Sequence, residues 1–261
     1  MDGPDNAAKS KAQEPPESAC PPAKAGDKVP YSYVTEGGEK YHVVAVSYKN
    51  NTRVETGNIT FGNGDRYEGD WCGGAKNGRG KYTCKNGVCY DGKWKDDQRH
   101  GTGMCKYANG DVYEGRWFKN HKHGDGTYRF HNGNVYSGDW RSDRACGKGN
   151  CSYANGDRYE GMWKDDRAHG CGTYTYGSGE EFRGDWVKGK KSGTGSFCFL
   201  SGDIYTGDFR DDDINGHGIK KFANGDVYVG EVRAVFYFHD ACALRCSEGS
   251  GTPYRWELTI E

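Results

Sequence analysis

An aromatic residue returns every 23 residues along most of this chain, without an insertion or deletion, and that regularity limits the fold more than any other feature. With that residue as position 1, the comb reads Tyr67, Tyr90, Tyr113, Tyr136, Tyr159, Phe182, Tyr205 and Tyr228. Glycine follows at position 3, from Gly69 through Gly230. Position 5 holds Trp71, Trp94, Trp117, Trp140, Trp163 and Trp186, then Phe209, so six of the seven tryptophans share one register. A Gly-x-Gly occupies positions 12 and 14, as at Gly124 and Gly126, and Asn-Gly closes most units, as at Asn132-Gly133. A fixed period of this length marks a repeat architecture, in which each unit buries its apolar face against its neighbours.

Each mark carries a local instruction. Positions 1, 3 and 5 have period two and share one face of a strand. Positions 16 and 18 repeat the pattern on a second strand, with Tyr82, Tyr128, Phe130, Tyr174, Tyr176 and Phe197 among its rings. Asn-Gly between such strands predicts a two-residue type I′ turn, with positive φ at both central residues. The polar stretch between positions 5 and 12, such as residues 95–100, predicts a longer connection. Glycine at 3, 12 and 14 clears the backbone where a neighbouring ring must lie flat on it. The predicted fold is all-β: an elongated, single-layer antiparallel β-meander of tandem 23-residue hairpin repeats.

Composition fits a core of rings. Only 34% of the residues are hydrophobic, yet 14% are aromatic and 42 are glycine. A disordered chain would lack the aromatics, and an ordinary globule would be richer in aliphatics. Burying one Trp or Tyr hides on the order of 150–250 Å², roughly 4–6 kcal/mol gross before entropy. Two or three rings per unit can therefore hold a strip nearly devoid of Leu and Ile.

The ends depart from the pattern. Residues 1–33 hold six of the seven prolines and read as a disordered tail. Residues 34–66 read as a degenerate capping repeat, with Val44, Val46 and Tyr48 where Tyr, Gly and Trp would stand. Residues 67–232 are seven repeats plus a partial eighth, weakening towards Lys220 and Val232. Residues 233–261, with apolar runs at 234–238 and 254–260, read as a C-terminal cap or association segment. The eleven cysteines fall at scattered repeat positions, which suits reduced thiols. Cys242 and Cys246 have no second pair to complete a zinc site, so neither metal nor cofactor is expected. No stretch is long and apolar enough to span a bilayer and no signal-type segment opens the chain, so a cytoplasmic location is expected. A net charge of −1 argues against nucleic acid as a partner.

The quoted marks resemble the MORN repeat family. Tyr113-Glu-Gly115-Arg-Trp117, then His123-Gly124-Asp-Gly126, then Asn132-Gly133 is a complete match. The resemblance implies a hairpin strip with an aromatic groove and roles in scaffolding, membrane tethering and cytoskeletal or ciliary assemblies, similar to radial-spoke head proteins. Three functions follow as expectations. The first is a non-catalytic scaffold or adaptor that binds a protein segment, extended or helical, along a groove formed by Tyr67, Trp71, Tyr90, Trp94, Tyr113, Trp117, Tyr136, Trp140, Tyr159, Trp163, Phe182 and Trp186. The second is a tether to anionic phospholipid through Lys119, Lys122, Arg141, Arg144, Lys188, Lys190 and Lys191. The third is a regulatory fragment of a larger enzyme. No catalytic residues are assigned, because His100, His123 and His169 recur at position 11 and Asp70, Asp139, Asp185 and Asp208 at position 4, whereas a catalytic group is ordinarily unique. Exposed strip edges leave a homodimer open.

Overall fold

The computed structural model describes residues 30–49, 52–235 and 243–246. Most of the tail, Cys242 and the run 254–260 lie outside them. All regular structure among the described residues is β-strand, and each strand pairs antiparallel with its sequence neighbour within a unit. The chain divides into two compact units. The first comprises the residues up to Gly110 with Arg116–Asn120; the second comprises Asp111–Gly115 and the residues from His121 on.

In the first unit, β1 (Tyr31–Val34), β2 (Lys40–Lys49) and β3 (Thr52–Thr60) precede the repeats. Strand β1 opens at Tyr31, inside the segment expected to be unstructured, because its backbone pairs with β2 from Tyr31↔Val43 to Val34↔Lys40. β4 (Arg66–Cys72), β5 (Ala75–Thr83), β6 (Cys89–Lys95) and β7 (Gln98–Lys106) continue the meander. Strand β8 (Val112–Phe118) contributes residues to both units. The second unit runs through β9 (His121–Arg129), β10 (Val135–Arg141), β11 (Arg144–Ser152), β12 (Arg158–Lys164), β13 (Arg167–Thr175), β14 (Glu181–Val187), β15 (Lys190–Cys198), β16 (Ile204–Arg210), β17 (Asp213–Lys221), β18 (Val227–Val235) and β19 (Ala243–Cys246).

The two kinds of turn are interchanged relative to expectation. The stretch after position 5 is no long loop but a two-residue turn. Asp96 and Asp97 have φ of 49° and 62°, and Asp165 and Asp166 have 49° and 64°, the type I′ geometry. Asp, Asn and Ser tolerate that region because a short polar side chain can bond locally. At the Asn-Gly end only the glycine is left-handed, with Gly110 at 91°. There Gly87 N–H donates to the Cys84 carbonyl at 3.0 Å and Cys84 N–H to the Val88 carbonyl at 2.8 Å, a three-residue loop with a bulge. Asn86 earns its place differently: its Oδ1 accepts from Val88 N–H at 3.1 Å.

Turns of neighbouring repeats are stapled to one another. Asp166 N–H donates to the Ala145 carbonyl at 3.2 Å, and Ala145 N–H returns a bond to Asp166 Oδ1 at 2.8 Å. Asp97 with Lys76, Asn120 with Arg99, and Asp143 with Lys122 repeat the exchange. At the other turns a carboxylate does the same work: Asp157 accepts from Gly177 N–H at 2.7 Å and from the Tyr174 hydroxyl.

The leading cap differs from its predicted register. Val44 is exposed, whereas Tyr41 and Val43 are buried, because a bulge between Val43 and Ala45 shifts the strand by one residue. Buried Glu55 then takes the place of a repeat carbonyl and accepts from Trp71 Nε1.

Candidate functional site

The position-1 and position-5 rings form the core of each unit. Tyr67, Trp71, Tyr90, Trp94, Tyr113, Trp117, Tyr136, Trp140, Tyr159, Phe182 and Trp186 are all buried, and Trp163 is half-buried. They interlock edge to face. Tyr90 meets Trp94 at 5.0 Å and 88°, and the next repeat's Trp117 at 5.4 Å and 86°. Tyr159 meets Trp163 at 5.2 Å and 87° and Trp186 at 5.1 Å and 82°. Tyr67, Tyr90, Tyr136 and Tyr159 are each wedged between their own tryptophan and the following one, in the arrangement that ring quadrupoles favour.

Glycine and tyrosine explain one another here. A Cβ on Gly172 would lie 2.4 Å from the Tyr159 hydroxyl, and one on Gly161 would lie 2.5 Å from the Gly172 Cα. The paired glycines at positions 3 and 14 therefore make the floor on which the ring rests. Position 12 serves a different purpose: Gly101 and Gly147 have φ of 66° and 62° at the mouth of a β-bulge. That bulge frees the position-4 carbonyl from the ladder, and the tyrosine hydroxyl takes it. Tyr67, Tyr90, Tyr136 and Tyr159 donate to Asp70, Lys93, Asp139 and Met162 carbonyls at 2.7–3.0 Å. The recurring aspartates close the same bulge, as when Asp139 Oδ2 accepts from Lys148 N–H at 3.0 Å. Their recurrence is structural. Burial pushes the phenol pKa of Tyr159 up to about 12 and raises those of Tyr67, Tyr90 and Tyr136.

The expected groove rings are therefore core, and the accessible ring surface belongs to positions 16 and 18. In the second unit these make a continuous, half-buried run. Centroid distances are 6.0 Å for Tyr153–Tyr174, 4.7 Å for Tyr174–Tyr176, 5.9 Å for Tyr176–Phe197 and 4.6 Å for Phe197–Phe199. Leu200 stands beside the run, 65% exposed. Lysines border it. Lys191 Nζ donates to the Tyr176 hydroxyl at 2.7 Å and lies 5.2 Å from the Phe197 centroid. Lys220, the apparent misfit at an aromatic position, lies 4.6 Å from the Phe222 centroid and pairs with Asp203 at 3.1 Å. In the first unit the equivalent positions are smaller at Cys84 and Cys105, and Cys105 is buried, with its thiol pKa raised by burial.

The basic residues divide. Lys122 lies 4.3 Å from the Trp140 centroid and 4.5 Å from that of Tyr128, so it and Lys191 face rings. Lys119, Arg141, Arg144, Lys188 and Lys190 are exposed in or beside the type I′ turns, where Arg144 pairs with Asp165 at 3.0 Å and Lys190 with Asp211 at 3.4 Å. Among the described residues no His, Cys, Asp and Glu group could hold a metal ion, and no helix is long and apolar enough to cross a membrane.

The family model of the MORN repeat matches seven consecutive segments, 67–89, 90–112, 113–135, 136–158, 159–181, 182–204 and 205–227. The chain belongs to the MORN repeat family. MORN repeats are protein- or membrane-binding scaffolds and are generally non-enzymatic. No curated protein matches the chain. Among solved structures, the TCP10c domain of Drosophila melanogaster Sas-4 is 12% identical, with 58% of this chain and 91% of that one covered and a TM-score of 0.35. The TCP10 domain of Danio rerio CPAP, solved with a peptide of Danio rerio STIL, is 13% identical, with coverages of 79% and 100% and a TM-score of 0.39. Read against these MORN boundaries, the ring run of the second unit spans three consecutive repeats, with Tyr153 in 136–158, Tyr174 and Tyr176 in 159–181, and Phe197 and Phe199 in 182–204.

Proposed function

We propose that this chain is a non-catalytic scaffold that binds a protein segment along the half-buried ring run of its second unit. The supporting observation is the run itself: Tyr153, Tyr174, Tyr176, Phe197 and Phe199 keep part of their surface open after the core is complete. Contiguous aromatic surface is what interface centres use, because a rigid ring buries a large area at small entropic cost. The site of action proposed with it is cytoplasmic, within a cytoskeletal, ciliary or membrane-associated assembly.

Direct binding of anionic phospholipid is the competing reading. It draws on Lys119, Arg141, Arg144, Lys188 and Lys190, but aspartates in equivalent turns offset these charges, and Lys122 and Lys191 face the rings. The protein partner is favoured on that ground. The test compares proteins retained from ciliated and unciliated cell extracts by the wild-type chain and by a Tyr176→Ser, Leu200→Ser variant with a near-unchanged melting temperature. The proposal expects specific partners that the variant loses. Identical retention by both forms would remove the ring run from the interface, and sedimentation with anionic but not neutral vesicles would move the assignment to lipid.

A further inference from the structure

The outward face of the second unit changes character at its last strands. Across β12, β13 and β14, the outward row Glu160–Thr173–Arg183 is charged and hydroxylated, as is Ser137–Asn150–Glu160 before it. Across β16, β17 and β18 the equivalent row is Thr206–Ile219–Val229. The adjacent row is Ile204–Lys221–Val227. Val229 is 71% exposed, Val227 58%, Ile219 41% and Ile204 39%. Four aliphatic side chains thus stand together on a face where earlier repeats place apolar residues singly, as with Met104 and Val135, and leaving them in water forgoes the burial that drives folding.

The chain carries a complementary segment nearby. Residues 254–260 read Tyr-Arg-Trp-Glu-Leu-Thr-Ile, with apolar side chains at every second position and polar ones between. That is the pattern of a strand with one dry face. Strand β19 runs antiparallel to β18 and ends with Cys246 opposite Val232, only three residues along β18 from Val229. The seven residues from 247 to 253 include Gly249 and Gly251 and can span roughly 23 Å when extended, ample to turn back onto the patch. Lys221 stands between Ile204 and Val227 in the second row, its stem beside the aliphatic side chains.

We propose that residues 254–260 cover the outward face of β16–β18, setting Tyr254, Trp256, Leu258 and Ile260 on Ile204, Ile219, Val227 and Val229. The repeat array is thereby sealed by its own chain where its polar outer pattern fails.

Methyl-labelled NMR on the full chain tests this. Through-space contacts from the Ile219 and Val229 methyls to the Trp256 indole are expected at low protein concentration. A Val229→Asp variant, at a position exposed enough to leave the core intact, is expected to abolish them and shift Trp256 emission to the red, with the repeat signals unmoved. A mixture of differently labelled chains distinguishes the alternatives. Contacts found only between copies would assign the patch to a second molecule and overturn the proposal, and methyls without any contact to 254–260 would overturn it as well.

Discussion

The indole nitrogen of Trp94 donates to the carbonyl oxygen of Gly80, 14 residues back, at 2.8 Å. The same bond joins Trp186 to Gly172 at 3.2 Å and Trp163 to Gly149 at 3.0 Å. It ties the position-5 ring to the preceding repeat, where the ring also packs edge-on against that repeat's tyrosine. Trp94→Phe keeps most of the packing and strands the Gly80 carbonyl, so a loss of about 1–3 kcal/mol is expected. Trp94→Ala is expected to cost about 3–5 kcal/mol by opening a cavity. Urea unfolding checks both, and a Trp94→Phe variant as stable as the wild type would show that the hydrogen bond contributes nothing.

Two glycines should respond very differently to the same substitution. Gly172→Ala drives a Cβ into the Tyr159 ring, whose nearest atoms are 2.4–2.6 Å away. Either the ring or the strand must move, with an expected loss of more than about 3 kcal/mol. Gly225 has φ of 96° and open space around it. Gly225→Ala meets only backbone strain, about 1–2 kcal/mol. Comparable melting temperatures for the two variants would contradict the ring-on-glycine arrangement.

The type I′ turns supply a third measurement. Asp166 combines a φ of 64° with acceptance of the Ala145 N–H at 2.8 Å. Asp166→Asn retains both abilities, as Asn120 does in its own turn at Arg99, and is expected to be neutral within about 0.5 kcal/mol. Asp166→Val loses the acceptor and places a β-branched residue in the left-handed region, an expected cost of about 2–4 kcal/mol. A tolerated valine would mean that this turn does not link adjacent repeats.

Alkaline pH should unfold the chain cooperatively. The position-1 phenols of Tyr67, Tyr90, Tyr136 and Tyr159 are raised by burial, Tyr159 to about 12. An unfolded tyrosine ionises near pH 10. The folded state therefore holds these protons more tightly, and the stability they contribute is complete below about pH 10 and is lost as pH rises towards the folded value. Phenolate absorbance followed beside circular dichroism should show the buried tyrosines ionising together with loss of the sheet. Full ionisation near pH 10 with the fold intact would refute their burial.

The repeat was legible in the sequence because a ring every 23 residues leaves few ways to bury rings, and its strands follow from period-two patterning alone. The family followed from the same marks. Which rings would stay accessible was not legible, since positions 1, 5, 16 and 18 are all aromatic and only the packing of neighbouring repeats sorts buried from half-buried. The turns were misassigned for a related reason: Asn-Gly suits both a two-residue turn and a three-residue bulged loop, and hydrogen-bond register selects between them.

By itself, the sequence determined the period, the strands and the use of glycine against tyrosine, because these depend on side-chain size and backbone freedom within one hairpin. Tertiary structure decided that Tyr159 and Trp186 are core while Tyr176 and Phe199 keep open surface, and that Lys122 and Lys191 lie over rings. Those outcomes depend on contacts between neighbouring repeats, where twist and bulges set which face each side chain finds, and no single 23-residue unit encodes that relation.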